Sequence, residues 1–176
     1  MLETIMLTAT VYVGEINEVG KAKDICKSLN EGDIIVFDSN GGIVDEFIEL
    51  GNCIYDKKVN SIIIKARSAA AFAASAADKT CIYEDSILGY HIPHHVMGRE
   101  RVELSIGQLR QHNSKLSYNL NKWGIDPQTV VNINYAVLMT PPALMLEFVG
   151  EDIVPFVKDV AWCEDLIKKE ENIGEQ

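Results

Sequence analysis

Ser68, His91 and the pair Gly41-Gly42 are the residues whose types and settings could do chemistry. Ser68 stands between the apolar run Ile62-Ile63-Ile64 and an alanine-rich segment. A serine where a strand gives way to a helix can hold its hydroxyl exposed while backbone N–H groups point at an incoming oxygen. Such a hydroxyl becomes a nucleophile when a base lies within hydrogen-bond reach. Serine is also a favoured helix N-cap, and position alone leaves both roles open. Gly41-Gly42 follows another apolar run, and a turn without side chains lets a substrate carbonyl approach backbone donors that could hold an oxyanion. It could equally be a tight turn that needs positive φ. His91 ends an expected strand and is followed by Ile92-Pro93, which places a candidate base where a sheet edge opens into a loop. A structural histidine, or a metal site of His91, His94 and His95, competes with that reading. The metal is disfavoured because no carboxylate or cysteine lies beside the cluster and Pro93 interrupts regular helical spacing.

The elements that would position these residues alternate between strand and helix. Residues 4–13 are rich in β-branched and aromatic types and read as one or two strand segments. Val19, Ala22, Ile25, Cys26 and Leu29 recur at helical spacing up to Asn30-Glu31-Gly32, which stops a helix. Ile34-Ile35-Val36-Phe37 is a short continuous apolar run, the pattern of a parallel strand covered on both faces. After the Asp38 to Gly42 turn, Ile43, Phe47, Leu50 and Ile54 mark an amphipathic helix running to about Asp56. The same strand, turn and helix then recur through Ile62-Ile63-Ile64, Ala66-Arg67-Ser68 and the alanine-rich segment, which implies βαβ crossovers and a largely parallel sheet. Two further strands are expected around 80–83 and 86–91, with Glu84-Asp85 as the turn between them. Val102, Ile106, Leu109, Leu116, Leu120 and Trp123 predict one long amphipathic helix over 99–123. Gly124 ends it, and Asp126-Pro127 reads as an N-cap followed by proline in the first turn of another helix. The tail after Val160 is amphipathic, then acidic, and its last residues are expected to fray.

Three segments, in order and in context, resemble the proteolytic subunit of the Clp protease family. Asp38-Ser39-Asn40-Gly41-Gly42 is similar to that family's Ser-Pro-Gly-Gly turn, with Asn40 in place of proline. Ser68-Ala69-Ala70-Ala71-Phe72 resembles its nucleophile segment Ser-Met-Gly-Ala-Phe. Asp85 through Pro93 resembles its strand Asn-Ser-x-x-x-x-His-x-Pro, and the spacing from Ser68 to His91 needs only a short deletion in the intervening loop. The resemblance covers 38–93. It implies an α/β fold of stacked ββα units of the Clp-protease and crotonase kind. It also implies Ser68 as nucleophile, His91 as base, and an oxyanion hole from Gly41, Gly42 and the N–H of Ala69. The family inserts a long handle helix after the histidine, a part that 99–123 could play, and so a homo-oligomeric ring is expected. No metal or organic cofactor is implied. Peptides or unfolded chains are the expected substrate, with an ATPase unfoldase as the partner that feeds them.

The third catalytic position departs from the family. Aligning Thr140-Pro141-Pro142-Ala143 through Asp152 with the family's segment beyond its acid places Ala136 where that acid should stand. Asn134 is the substitute chosen here, since an amide can accept the imidazole N–H; Asn132 and Asp126 are alternatives, and helix capping already explains Asp126. The missing acid also admits a non-catalytic subunit of the same fold. The related crotonases use paired oxyanion amides on acyl-CoA thioesters and give no reason for Ser68 and His91 to match together. The signal peptide peptidase branch uses a lysine base, and the match at His91 points away from it.

The composition agrees with one folded domain over 1–176. The 176 residues are 47% hydrophobic and 24% charged, ordinary values for a globular chain. A formal net charge of −10, with no concentrated basic patch, opposes binding to nucleic acid. No apolar run approaches the ~20 residues that span a bilayer, and no secretory leader is recognisable, so a cytoplasmic setting without membrane contact is expected. Cys26, Cys53, Cys81 and Cys163 are scattered with no CxxC pair, which predicts reduced thiols rather than a disulfide framework.

Overall fold

The computed structural model of the chain describes residues 9–97, 100–141 and 143–164. Its main sheet begins with four parallel strands, β1 (Thr10–Val13), β2 (Ile34–Ser39), β3 (Asn60–Arg67) and β4 (Thr80–Tyr90), laid side by side in chain order. Helices α1 (Lys21–Ser28), α2 (Val44–Asp56) and α3 (Ala69–Ala74) make the crossovers. The α/β fold with a largely parallel sheet is therefore as the sequence predicts. Ile35, Val36 and Phe37 are buried, as a strand covered on both faces requires. In β3 the run is less complete, with Ile63 buried and Ile64 exposed on the opposite face.

The core lies where α2 and α3 pack on the sheet. All six residues of α3 are buried, and five of them are alanines, which let the helix approach its neighbours closely. At the start of α1, the buried Glu46 carboxylate of α2 accepts the N–H groups of Gly20 and Ala22, each at 2.9 Å, and so supplies the cap that α1's own residues do not.

Two expected strands, 80–83 and 86–91, are one strand with a bulge. Ile63 pairs with Ile82 and Lys65 with Ile87, so residues 83–86 bow out against Ile64. Ser86 closes the bow: its Oγ accepts from Tyr83 N at 2.8 Å and donates to the Ile63 carbonyl. Beyond the bulge β4 pairs antiparallel with β7 (Leu146–Val149), and before it parallel with β8 (Val160–Trp162); a 3₁₀ turn, Gly150–Phe156, joins the two.

The long helix is shorter than the spacing predicts. It is α4 (Ile106–Lys122), started by a capping box in which Ser105 Oγ accepts from Gln108 N while the Gln108 side chain takes the Ser105 N–H. The stretch before it forms an antiparallel hairpin, β5 (His94–Met97) with β6 (Glu100–Glu103); the expected start at Arg99 lies outside the described residues. Val102 keeps helical spacing yet belongs to β6, because a β-branched residue serves a strand equally well. The far end of α4 docks on its own domain. Trp123 is fully buried, and a β-carbon on Gly51 of α2 would lie 2.6 Å from its ring. Helix α5 (Pro127–Met139) starts as expected, with Asp126 accepting from the N–H groups of Gln128 and Thr129.

The thiols are paired, against the sequence expectation. Cys26 and Cys53 join α1 to α2, and Cys81 joins β4 to Cys163, with Cα separations of 5.9 and 5.2 Å that suit disulfides. Partners 27 and 82 residues apart leave no local spacing signal, which is why the sequence hid them. No helix among the described residues is long and apolar enough to cross a membrane.

Candidate active site

Parallel β3 and β4 bring the chemistry together. Ser68 leaves the end of β3 with φ 54° and ψ −126°, a conformation that costs a non-glycine residue on the order of 1–3 kcal/mol. Its hydroxyl does not cap α3, so the N-cap explanation of this serine is not what the structure shows. Instead Oγ lies 2.7 Å from His91 Nε2, while Ser68 N donates to Gly89 O at 2.8 Å and ties the two strand ends together.

His91 is only 8% exposed. Burial, and after it the electrostatic influence of neighbouring His94, pull its imidazole below the ordinary histidine range; Arg101 adds to this while the Ile92 backbone opposes it. A neutral ring at pH 7 is the state a base needs.

Gly41, Gly42 and Ala69 differ in what their amides are free to do. Gly41 N–H donates to Ser39 Oγ at 3.0 Å and is already committed. Its lack of a side chain serves proximity instead, since a β-carbon there would lie 2.8 Å from Ser68 Cβ. Gly42 sits at φ 146°, and its missing β-carbon would lie 2.1 Å from the Ile16 carbonyl oxygen. Among the described residues the N–H of Gly42, which lines the cleft, and that of Ala69, in the first turn of α3, make no hydrogen bond. They are the two donors placed to meet an oxyanion.

Asn134 is not brought to the site. Its amide nitrogen donates to Ser117 Oγ at 2.8 Å between α5 and α4, and neither its Oδ1 nor His91 Nδ1 has a hydrogen-bond partner, so the two are not joined. Asn132 accepts from Gln128 on the exposed face of α5. Helical periodicity, not distance along the chain, decides where an α5 residue points, and 134 faces α4. No carboxylate takes the place expected for it among the described residues.

The structure adds residues that the spacing did not single out. Arg67 Nη1 donates to Asn40 Oδ1 at 3.1 Å, and Asn40 Nδ2 donates to Glu15 at 2.7 Å. On its other side Arg67 Nε lies 2.6 Å from Glu147 of β7, an ion pair rather than an aligned hydrogen bond. Arg67 thus spans from the glycine turn to β7 beside the nucleophile. A cleft of about 960 Å³ opens over Ser68 and His91, walled by that arginine and by the β5–β6 hairpin. The His94 ring lies beside that of His91, with centroids 5.2 Å apart and planes tilted by 43°. Among the described residues no group of three or more His, Cys, Asp or Glu could hold a metal ion.

No protein-family model and no curated protein matches the chain. Among solved structures it is similar to the 1510-N membrane-bound stomatin-specific protease, in a serine-to-alanine mutant form. The TM-score is 0.64 at 15% identity, over 92% of this chain and 84% of that one. The chain therefore shares its α/β fold with that solved protease.

Proposed function

We propose that the protein is a serine peptidase that cleaves peptide bonds through an acyl-enzyme, with Ser68 as nucleophile and His91 as general base. The observation that carries this reading is the 2.7 Å contact between Ser68 Oγ and His91 Nε2, made by a serine in a strained conformation that capping does not explain. Ser68 Oγ attacks the carbonyl carbon as His91 Nε2 takes its proton. The tetrahedral oxygen is held by the N–H groups of Gly42 and Ala69. The proton then passes to the leaving amine, and water hydrolyses the ester by the same route reversed.

The fold and the motifs around Gly41, Ser68 and His91 support a Clp-type enzyme, and with it a homo-oligomeric ring that receives unfolded chains from an ATPase. A non-catalytic subunit is the second reading, favoured by the unpartnered His91 Nδ1. Labelling with a fluorophosphonate, read by intact mass, decides between them. An adduct on wild type that disappears in Ser68→Ala and His91→Ala supports the peptidase. A folded wild type that stays unlabelled refutes it.

A further inference from the structure

The glycine turn that carries one oxyanion donor is tied down along the β1 side of the sheet. Ile16 N–H donates to Gly41 O at 3.2 Å and Ile16 O accepts from Ile43 N–H at 2.8 Å, which makes Ile16 and Gly42 partners in a parallel bridge. Successive residues of a parallel strand turn their backbone groups to alternate edges. Gly42 therefore turns its own N–H away from Ile16, towards the edge where β3 lies and Ser68 follows it. The turn is aimed, and what holds it on the Ser68 side decides how well.

Backbone pairing between β2 and β3 stops at Ser39 and Ala66. The next rung is made by side chains, as Arg67 Nη1 donates to Asn40 Oδ1 at 3.1 Å. Glu15 holds the rest of Asn40: its Oε1 accepts the backbone N–H at 3.2 Å and Nδ2 at 2.7 Å. Hydrogen bonds from its own backbone and from Asn40 hold the Glu15 carboxyl below the usual carboxylate range, so it is ionised at neutral pH. Arg67 is anchored in turn by its ion pair with Glu147 at 2.6 Å. A proline would fix φ here through its own ring, a restraint that asparagine lacks. Asn40 is exposed, and hydrogen bonds in such a place add little to stability. Their placement says more: Asn40 stands two residues before Gly42, and Arg67 immediately precedes Ser68.

We infer that Asn40, clamped between Glu15 and Arg67, is a positioning residue that fixes the Gly42 N–H relative to Ser68 Oγ. The inference rests on Ser68 being the nucleophile and the Gly42 N–H an oxyanion donor. Asn40 acts through the turn. With the clamp released, the turn keeps its bonds to Ile16 but gains freedom at the edge facing Ser68, and its N–H meets the developing oxyanion less often. A misplacement of about 1 Å at a reacting centre can cost on the order of 100-fold in rate, so a turn that is loosened rather than moved should lose about tenfold.

The test measures the maximal rate and the half-saturating concentration of labelling by a small neutral fluorophosphonate, whose phosphoryl oxygen takes the oxyanion's place. Wild type is compared with Asn40→Asp and with Asn40→Asp combined with Glu15→Gln. Asn40→Asp keeps an acceptor for Arg67 but sets a carboxylate against that of Glu15, and should lower the maximal rate about tenfold with half-saturation unchanged. Adding Glu15→Gln supplies a donor to the new carboxylate and should recover most of the loss. Recovery from position 15 is a result that direct contact between Asn40 and the probe would not give. Should Asn40→Asp fail to fold by circular dichroism, Asn40→Ala releases both tethers without adding charge, and the same fall in maximal rate is expected. A variant that labels at the wild-type rate, a loss confined to half-saturation, or a loss that Glu15→Gln does not recover overturns the inference. Any of these with wild type labelled defeats the inference alone, whereas an unlabelled wild type defeats the nucleophile as well.

Discussion

Gly41 lies so close to Ser68 that a β-carbon on it would come within 2.8 Å of the serine Cβ and 2.9 Å of the Arg67 carbonyl oxygen. The contact is between backbone and the root of a side chain, with no flexible end to move aside, and Gly41 holds φ at 104°. Gly41→Ala should therefore displace Ser68 from His91. The expected loss in fluorophosphonate labelling rate is on the order of 100-fold, comparable to removing an oxyanion donor. Circular dichroism should show the fold retained; a variant that labels at the wild-type rate would contradict the geometry.

The acid limit of activity should lie below the ordinary histidine pKa of 6.5. Only the neutral form of His91 accepts the Ser68 proton, and burial lowers its pKa, so the neutral form persists as the pH falls through the usual histidine range. Replacing His94 with glutamine removes a lowering influence and should move the acid limb of the labelling profile to higher pH. A limb that does not move, or moves down, would show that His94 has no hold on the base.

Asn134→Ala should leave the labelling rate unchanged. The amide bonds Ser117 between two helices, so its loss should appear in thermal unfolding, at about 1 kcal/mol for one hydrogen bond. A large fall in labelling with the fold intact would return Asn134 to the site.

The two disulfides should appear as a mass four hydrogen atoms below that of the fully reduced chain. They close loops of 27 and 82 residues, and in the chain-entropy view each stabilises the native state by roughly 3–5 kcal/mol. Denaturant midpoints with and without reductant measure this. If the midpoints coincide, the crosslinks are absent or without effect.

Much of this fold was legible from local pattern. Ile34 to Phe37, the glycine turn and the alanine-rich helix each announced their element, because apolar runs and punctuating glycines act over a few residues. What escaped depends on contacts distant in sequence. Nothing local marks the positive φ of Ser68, which its neighbours impose, nor the partner of Cys81, which lies 82 residues away. Counting along the chain leads to Ala136 and only then to the nearby amide of Asn134, which the helix turns towards Ser117. Residues 100–103, inside the span expected to be helix, form a hairpin strand instead, because Val102 fits both periods. Arg67 and Asn40 stood in plain view within the two turns, but an arginine's reach across the site to Glu147 has no signature in spacing.

The hydrogen bond from Ser68 N to Gly89 O makes the nucleophile part of the same ladder that carries the base two residues further on. The gap between the two functional groups is thus gauged by sheet register rather than by the drift of a loop. Opening that one rung should cost about as much as fraying the end of β4. Hydrogen exchange at the Ser68 amide would then report directly on the fraction of molecules in which the pair is assembled.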